Sequence, residues 1–257
     1  MPDSPSRFVW YELLTTDPAG AKAFYGDVAG WTTQDAPMPG MTYTLINAGE
    51  QQIAGLMATP QELLDMGVPP CWTGYVGVAD VDTAAEEVQR LGGQVRRAPE
   101  DIPGVGRFAI VADPQGAVIA LFHSDQGAAP WAEPGTPGHF GWHELYTDDV
   151  EKGFAFYSAL FGWRKDQAME MGDMGVYQLF AIGERVCGGM MAKPPGFPVS
   201  AWIYYINVGD IDAAVARVKA GGGSVHNGPE AVPTGQWIAQ GQDPQGAWFA
   251  LLGHRAG

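Results

Sequence analysis

The stretch FVWYELLTTDPAGAKAFYGDVAGWTT at residues 8–33 returns as FGWHELYTDDVEKGFAFYSALFGWRK at residues 140–165. Eleven of the 26 aligned positions are identical, among them Trp10/Trp142, Glu12/Glu144, Asp17/Asp149, Phe24-Tyr25/Phe156-Tyr157 and Gly30-Trp31/Gly162-Trp163. Unrelated sequences of this composition would share roughly two. The match runs on: Tyr43 and Gly55 reappear as Tyr177 and Gly189, Trp72 and Tyr75 as Trp202 and Tyr205, and Asp113-Pro114-Gln115-Gly116 recurs intact as Asp243-Pro244-Gln245-Gly246. Nearly constant spacing over both halves makes the chain a tandem duplication. The copies are expected at 1–124 and 139–257, separated by a Pro/Gly-rich linker at 125–138.

Each copy has a readable internal order. Residues 8–14 alternate and carry aromatics, the mark of a strand. Asp17-Pro18 supplies a helix cap and a first-turn proline, and Ala21, Phe24, Tyr25 and Val28 form one apolar stripe that ends at Gly30. In the second copy the stripe is Gly153, Phe156, Tyr157 and Leu160, behind Asp149. Alternation marks further strands near 42–47, 53–58, 73–78, 107–111 and 118–122, with helices expected to be capped by Asp82 and Asp212. The order read from the residues is therefore βαββ then βαββ within each copy, and the fold class is α+β.

The chain has 257 residues, 46% hydrophobic and 17% charged, which describes an ordinary globular protein. A formal net charge of −15 argues against nucleic-acid and anionic-membrane partners, because phosphate recognition needs a basic surface. No apolar run reaches the roughly 18 residues of a membrane span, and the first residues lack a secretory pattern. Cys71 and Cys187 stand in unrelated contexts and read as reduced thiols, so a cytoplasmic location is expected.

A strand, a Phe-Tyr helix, Gly-Trp, further strands, a Val-x-Asp-x-Asp helix start and Asp-Pro-x-Gly before the last strand together resemble the vicinal oxygen chelate superfamily. It includes glyoxalase I, extradiol dioxygenases and bleomycin-resistance proteins, and the resemblance covers nearly the whole chain. It implies two glyoxalase-like modules of paired βαβββ-type units, whose mixed sheets curl into half-open barrels around cavities. Metal-dependent members place ligands on the first and last strands of a unit. Counted from the shared motifs, those slots fall on Trp10, Thr73 and Ala120 in copy one, and on Trp142, Ile203 and Ala250 in copy two. Indole and aliphatic side chains hold no cation, and a threonine hydroxyl rarely does. No metal and no cofactor is therefore predicted, a divalent metal in a rearranged site being the alternative.

Strand parity assigns the cavity faces. If Trp10 faces a cavity, so do Glu12 and Phe8, and likewise Trp142, Glu144 and Phe140. Tyr75, Phe122, Tyr205 and Trp248 are expected to join them as an aromatic wall for a small organic molecule. Glu12 and Glu144 are the candidate catalytic groups, since a carboxylate among tryptophans suits acid/base work. The competing structural reading has each glutamate accepting bonds from an Arg, a Tyr hydroxyl or backbone N–H. His143 has the opposite parity and reads as a core residue. A binding protein of the glyoxalase/bleomycin-resistance type is thus expected, with a lyase, isomerase or dioxygenase/hydroxylase-type enzyme as the alternative, in either case a monomer or homodimer.

Overall fold

Four polar strands that alternation does not mark complete the two copies. The computed structural model describes residues 6–38, 40–127 and 129–255. The first copy runs β1 (Phe8–Thr15), α1 (Pro18–Ala29), β2 (Thr32–Met38), β3 (Met41–Ala48) and β4 (Gln51–Ala58), then a short α2 (Gln61–Asp65). It continues β5 (Cys71–Gly77), α3 (Val81–Arg90), β6 (Gln94–Ile102), β7 (Gly106–Ala112) and β8 (Val118–Ser124). The second copy runs β9 (Phe140–Thr147), α4 (Val150–Phe161), β10 (Arg164–Glu170), β11 (Val176–Ile182) and β12 (Arg185–Ala192). It ends with β13 (Ala201–Asp210), α5 (Ile211–Ala220), β14 (Ser224–Ala231), β15 (Trp237–Gln242) and β16 (Trp248–His254). Each half-copy is thus a complete βαβββ unit.

The strands form two eight-stranded mixed sheets, in the orders β2-β3-β4-β1-β5-β8-β7-β6 and β10-β11-β12-β9-β13-β16-β15-β14. The unmarked strands β2, β6, β10 and β14 are the four sheet edges. Edge strands carry charge and proline because one side of their backbone has no sheet partner, and this erases the apolar alternation. Part of the expected linker, Ala128, lies outside the described residues. Nearer its end, Gly138 N–H donates to Asn207 O and Asn207 N–H to His139 O. Among the described residues no helix is long and apolar enough to cross a membrane.

Helix α1 buries the expected Ala21, Phe24, Tyr25 and Val28, and Asp17 caps it by accepting from Gly20 N–H. In α4 the stripe shifts: Phe154 and Phe161 are buried and Leu160 is half-buried. The caps of α3 and α5 are Asp80 and Asp210 rather than Asp82 and Asp212. Asp82 and Asp212 sit in the first turn and pair with Arg107 and Arg255.

The chain packs as two compact units that each draw on both copies: Met1–Val9, Thr73–Pro130 and His143–Trp202 form one, and Trp10–Trp72, Trp131–Trp142 and Ile203–Gly257 the other. The repeated motifs build the core of each. In the second unit Trp72 Nε1 donates to the Tyr25 hydroxyl at 2.9 Å, and Tyr25 donates to Asp243 Oδ2 at 3.1 Å. Asp243 Oδ1 accepts from the backbone N–H of Gln245 and Ala247. Trp31 stacks on Tyr25 and donates to Gly138 O. In the first unit the same relay runs from Trp202 through Tyr157 to Asp113, at 2.9 and 3.1 Å, and Trp163 donates to Ser6 O. A helix tyrosine of one copy thereby satisfies the turn aspartate of the other. Burial raises the Asp113 and Asp243 pKa values, against the opposing pull of their backbone and tyrosine bonds.

Candidate functional site

Strand β1 is regular from Tyr11 to Thr15, with Tyr11, Leu13 and Thr15 buried and Trp10, Glu12 and Leu14 half-buried on the other face. Parity slips between Phe8 and Tyr11, which corrects the expected face of Phe8. Phe8 is buried in the first unit and stacks on His143, with ring centroids 4.0 Å apart. Phe140, half-buried, stacks on Tyr11 in the second unit, with ring centroids 3.8 Å apart.

Trp10 and Glu12 are joined through a residue that parity did not single out. Trp10 Nε1 donates to the Tyr43 hydroxyl at 3.1 Å, and that hydroxyl donates to Glu12 Oε2, also at 3.1 Å. Tyr43 lies flat against β4 because Gly55, paired with Glu12 across β1 and β4, has no side chain; a Cβ there would stand 1.8 Å from the Tyr43 oxygen. Burial, then the neighbouring Glu12 carboxylate, push the Tyr43 pKa up, so its hydroxyl stays protonated and donating. Gly55→Ala is expected to displace Tyr43, break both bonds and lower the unfolding free energy by about 1–2 kcal/mol, read by urea denaturation. The arrangement recurs in the other unit, where Glu144 is buried opposite Gly189 in β12 and Tyr177 covers that glycine. Tyr43, Gly55, Tyr177 and Gly189 were visible as repeated positions, which is the signal that could have found them.

The remaining candidates fall into two sets, one in each unit. Tyr75 is buried against Phe108 and the half-buried Phe122, at centroid distances of 6.4 and 6.1 Å, and Arg97 lies 4.9 Å above the Phe108 ring. Tyr205 is buried and Trp248 half-buried; both belong to the face of β13 and β16 that carries Ala250, the partner of Tyr205. Trp142 is half-buried. His143 is a core residue: its Nδ1–H donates to Cys187 O at 2.8 Å, and burial lowers its pKa to about 4.

The residues at the superfamily's ligand positions do not fit a divalent cation. The Trp10 indole N–H is itself a donor to Tyr43, Thr73 and Ile203 are buried strand residues, and Ala120 and Ala250 are fully buried methyls. Among the described residues no group of three or more His, Cys, Asp or Glu side chains lies close enough to share an ion.

The family described as Glyoxalase/Bleomycin resistance protein/Dioxygenase superfamily matches residues 7–121 and 136–251, once per copy. "Putative glyoxylase CFP32" of Mycobacterium tuberculosis (strain CDC 1551 / Oshkosh) is 36% identical over 95% of this chain and 93% of its own length. "Anthracycline biosynthesis protein DauV" of Streptomyces sp. (strain C5) is 32% identical over 97% of this chain and 94% of its own. Among solved structures, the extradiol ring-cleaving dioxygenase from B. fuscum aligns with a TM-score of 0.67 at 17% identity, over 99% of this chain and 74% of that one. The Mn(II)-bound glyoxalase from Novosphingobium aromaticivorans aligns at 0.61 with 16% identity, over 98% and 83%.

Proposed function

We propose that this chain, which belongs to the Glyoxalase/Bleomycin resistance protein/Dioxygenase superfamily through both of its copies, binds a small organic molecule and does so without the metal site usual in that superfamily. The observation that carries the reading is the Trp10–Tyr43–Glu12 chain. It sets a half-buried indole beside a half-buried carboxylate, on a strand whose metal-ligand position is that same tryptophan. An indole offers a flat apolar surface to a ring, and a carboxylate fixed by a tyrosine offers an acceptor to a hydroxyl, amine or cation. The name of the Streptomyces relative points to planar polycyclic aromatics as the first compounds to try.

The test is a titration of intrinsic tryptophan fluorescence against a panel of planar aromatic amines, phenols and quinones. A response at micromolar concentrations is expected, about −8 kcal/mol of binding. Glu12→Gln should weaken amine binding about tenfold or more while leaving the thermal midpoint within a few degrees. A panel without a single responding compound would sink the reading. The second reading, a lyase, isomerase or dioxygenase/hydroxylase-type enzyme, is supported by the same carboxylate: Tyr43 donates to Glu12 Oε2 and so fixes one oxygen of a candidate general base. It requires Glu12→Gln to abolish turnover without abolishing ligand binding.

A further inference from the structure

Resting on the binding reading above, we infer that Phe197 closes the carboxylate face of the second copy, so that a ligand enters at Glu12 and each chain takes one molecule. The two carboxylate faces share one skeleton. In the first copy Glu12 and Leu14 lie two apart on β1, Leu14 pairs with Met57 of β4, and Met57 pairs with Tyr43 of β3. The corresponding second-copy residues are Glu144 and Tyr146 on β9, Met191 on β12 and Tyr177 on β11, with Tyr146 paired to Met191. Pairing is regular through Tyr11–Thr15 and through His143–Thr147, so each glutamate shares its face with the residue two further on.

Exposure separates the copies in one direction. Glu12, Leu14, Tyr43 and Met57 are all half-buried. Glu144, Tyr146 and Met191 are buried at 5–6% exposure, and Tyr177 at 9%. Trp10 and Trp142, two residues before the glutamates, are both half-buried. The copies therefore part at the carboxylate.

Two differences of sequence account for this. A tyrosine, Tyr146, stands where the first copy has Leu14. The connection that follows the fourth strand of each copy also changes. In the first copy it spans residues 59–70 and includes α2, whose Leu64 is exposed together with Met66 just beyond it. In the second copy it spans only residues 193–200, and a tight turn replaces the helix, with Phe197 N–H donating to Pro194 O. That turn brings the Phe197 ring edge-on to the Tyr146 ring, with centroids 5.1 Å apart, a favoured geometry for two aromatics. A second ring thus lies on the face that holds Glu144.

Carbodiimide coupling of glycinamide to accessible carboxylates, read by peptide mass spectrometry, tests the closure without any ligand. In the wild-type chain Glu12 should be labelled about tenfold or more faster than Glu144. Phe197→Ala, a change at a half-buried loop residue, should bring Glu144 to within about threefold of Glu12. Phe197→Leu, which keeps most of the bulk, should stay close to wild type. Calorimetric titration with 1-naphthylamine, a planar aromatic amine, should then give one equivalent per wild-type chain and two for Phe197→Ala. The wild-type comparison of the two carboxylates decides the matter even if Phe197→Ala fails to fold. Comparable labelling of Glu12 and Glu144, or protection of Glu144 that survives Phe197→Ala, overturns the inference whether or not the chain binds. Two equivalents bound by the wild-type chain overturn it as well. Unequal labelling in a chain that binds nothing across the wider panel sinks the binding reading instead.

Discussion

Asp243→Ala is expected to lower the unfolding free energy by about 3 kcal/mol. Asp243 is buried and accepts from two backbone N–H groups of its own turn and from the Tyr25 hydroxyl, which in turn accepts from Trp72. Removing the carboxylate strands three donors, two of them buried, each worth about 1–3 kcal/mol when left unmade. Part of that loss is offset because the burial that raises the Asp243 pKa is itself unfavourable to the charge. Tyr25→Phe removes only the central hydroxyl and should cost about 1–2 kcal/mol. Urea denaturation distinguishes the two, and the twin changes Asp113→Ala and Tyr157→Phe should reproduce their order. Equal, near-zero effects from both aspartates would mean that the relay contributes only geometry.

Stability should also fall by about 2 kcal/mol between pH 7.5 and pH 5, with His143 as the source. Its pKa is lowered to about 4 in the folded chain, by burial first and by the charge of Arg185 in a smaller part, although the bond to Cys187 O pulls the other way. An unfolded histidine titrates near 6.5. A group with a depressed folded pKa contributes stability that is whole above the unfolded value and disappears as pH falls toward the folded one. The window is therefore about 6.5 down to 4, and the full span is on the order of 3 kcal/mol. Asp113 and Asp243 carry the opposite sign, since their raised pKa values favour the fold at low pH and lose that contribution as pH rises. They act near and above the ordinary carboxylate range and partly oppose the loss at the acid end. His143→Phe keeps the stack on Phe8 and abolishes the titration, so its unfolding free energy should be lower at pH 7.5 and flatter toward pH 5. An unchanged slope in that variant would place the acid sensitivity elsewhere.

The duplication made most of the architecture legible, and the reasons are local. Helix α1 follows its apolar stripe residue for residue because a helix packed on a sheet buries one face. The edge strands β2, β6, β10 and β14 escaped because a strand with one unpaired side is written in polar residues and proline. Strand parity placed Glu12 with Trp10 correctly and misplaced Phe8, where a slip before Tyr11 turns the side chain into the core. No pattern in β1 alone could show that slip. The Phe-Tyr, Gly-Trp and Asp-Pro-Gln-Gly motifs that identify the family prove to be the relays and stacks of the two cores. They repeat because the fold repeats, and they say little about the ligand.

The most direct measurement is the affinity of the freshly purified chain for its best aromatic ligand before chelation, after exhaustive chelation, and after one equivalent of Mn²⁺ or Fe²⁺ is returned. The account predicts one micromolar dissociation constant under all three conditions, because indole and methyl groups occupy the positions that the resemblance assigns to metal ligands. Binding that vanishes on chelation and returns with stoichiometric metal would contradict it.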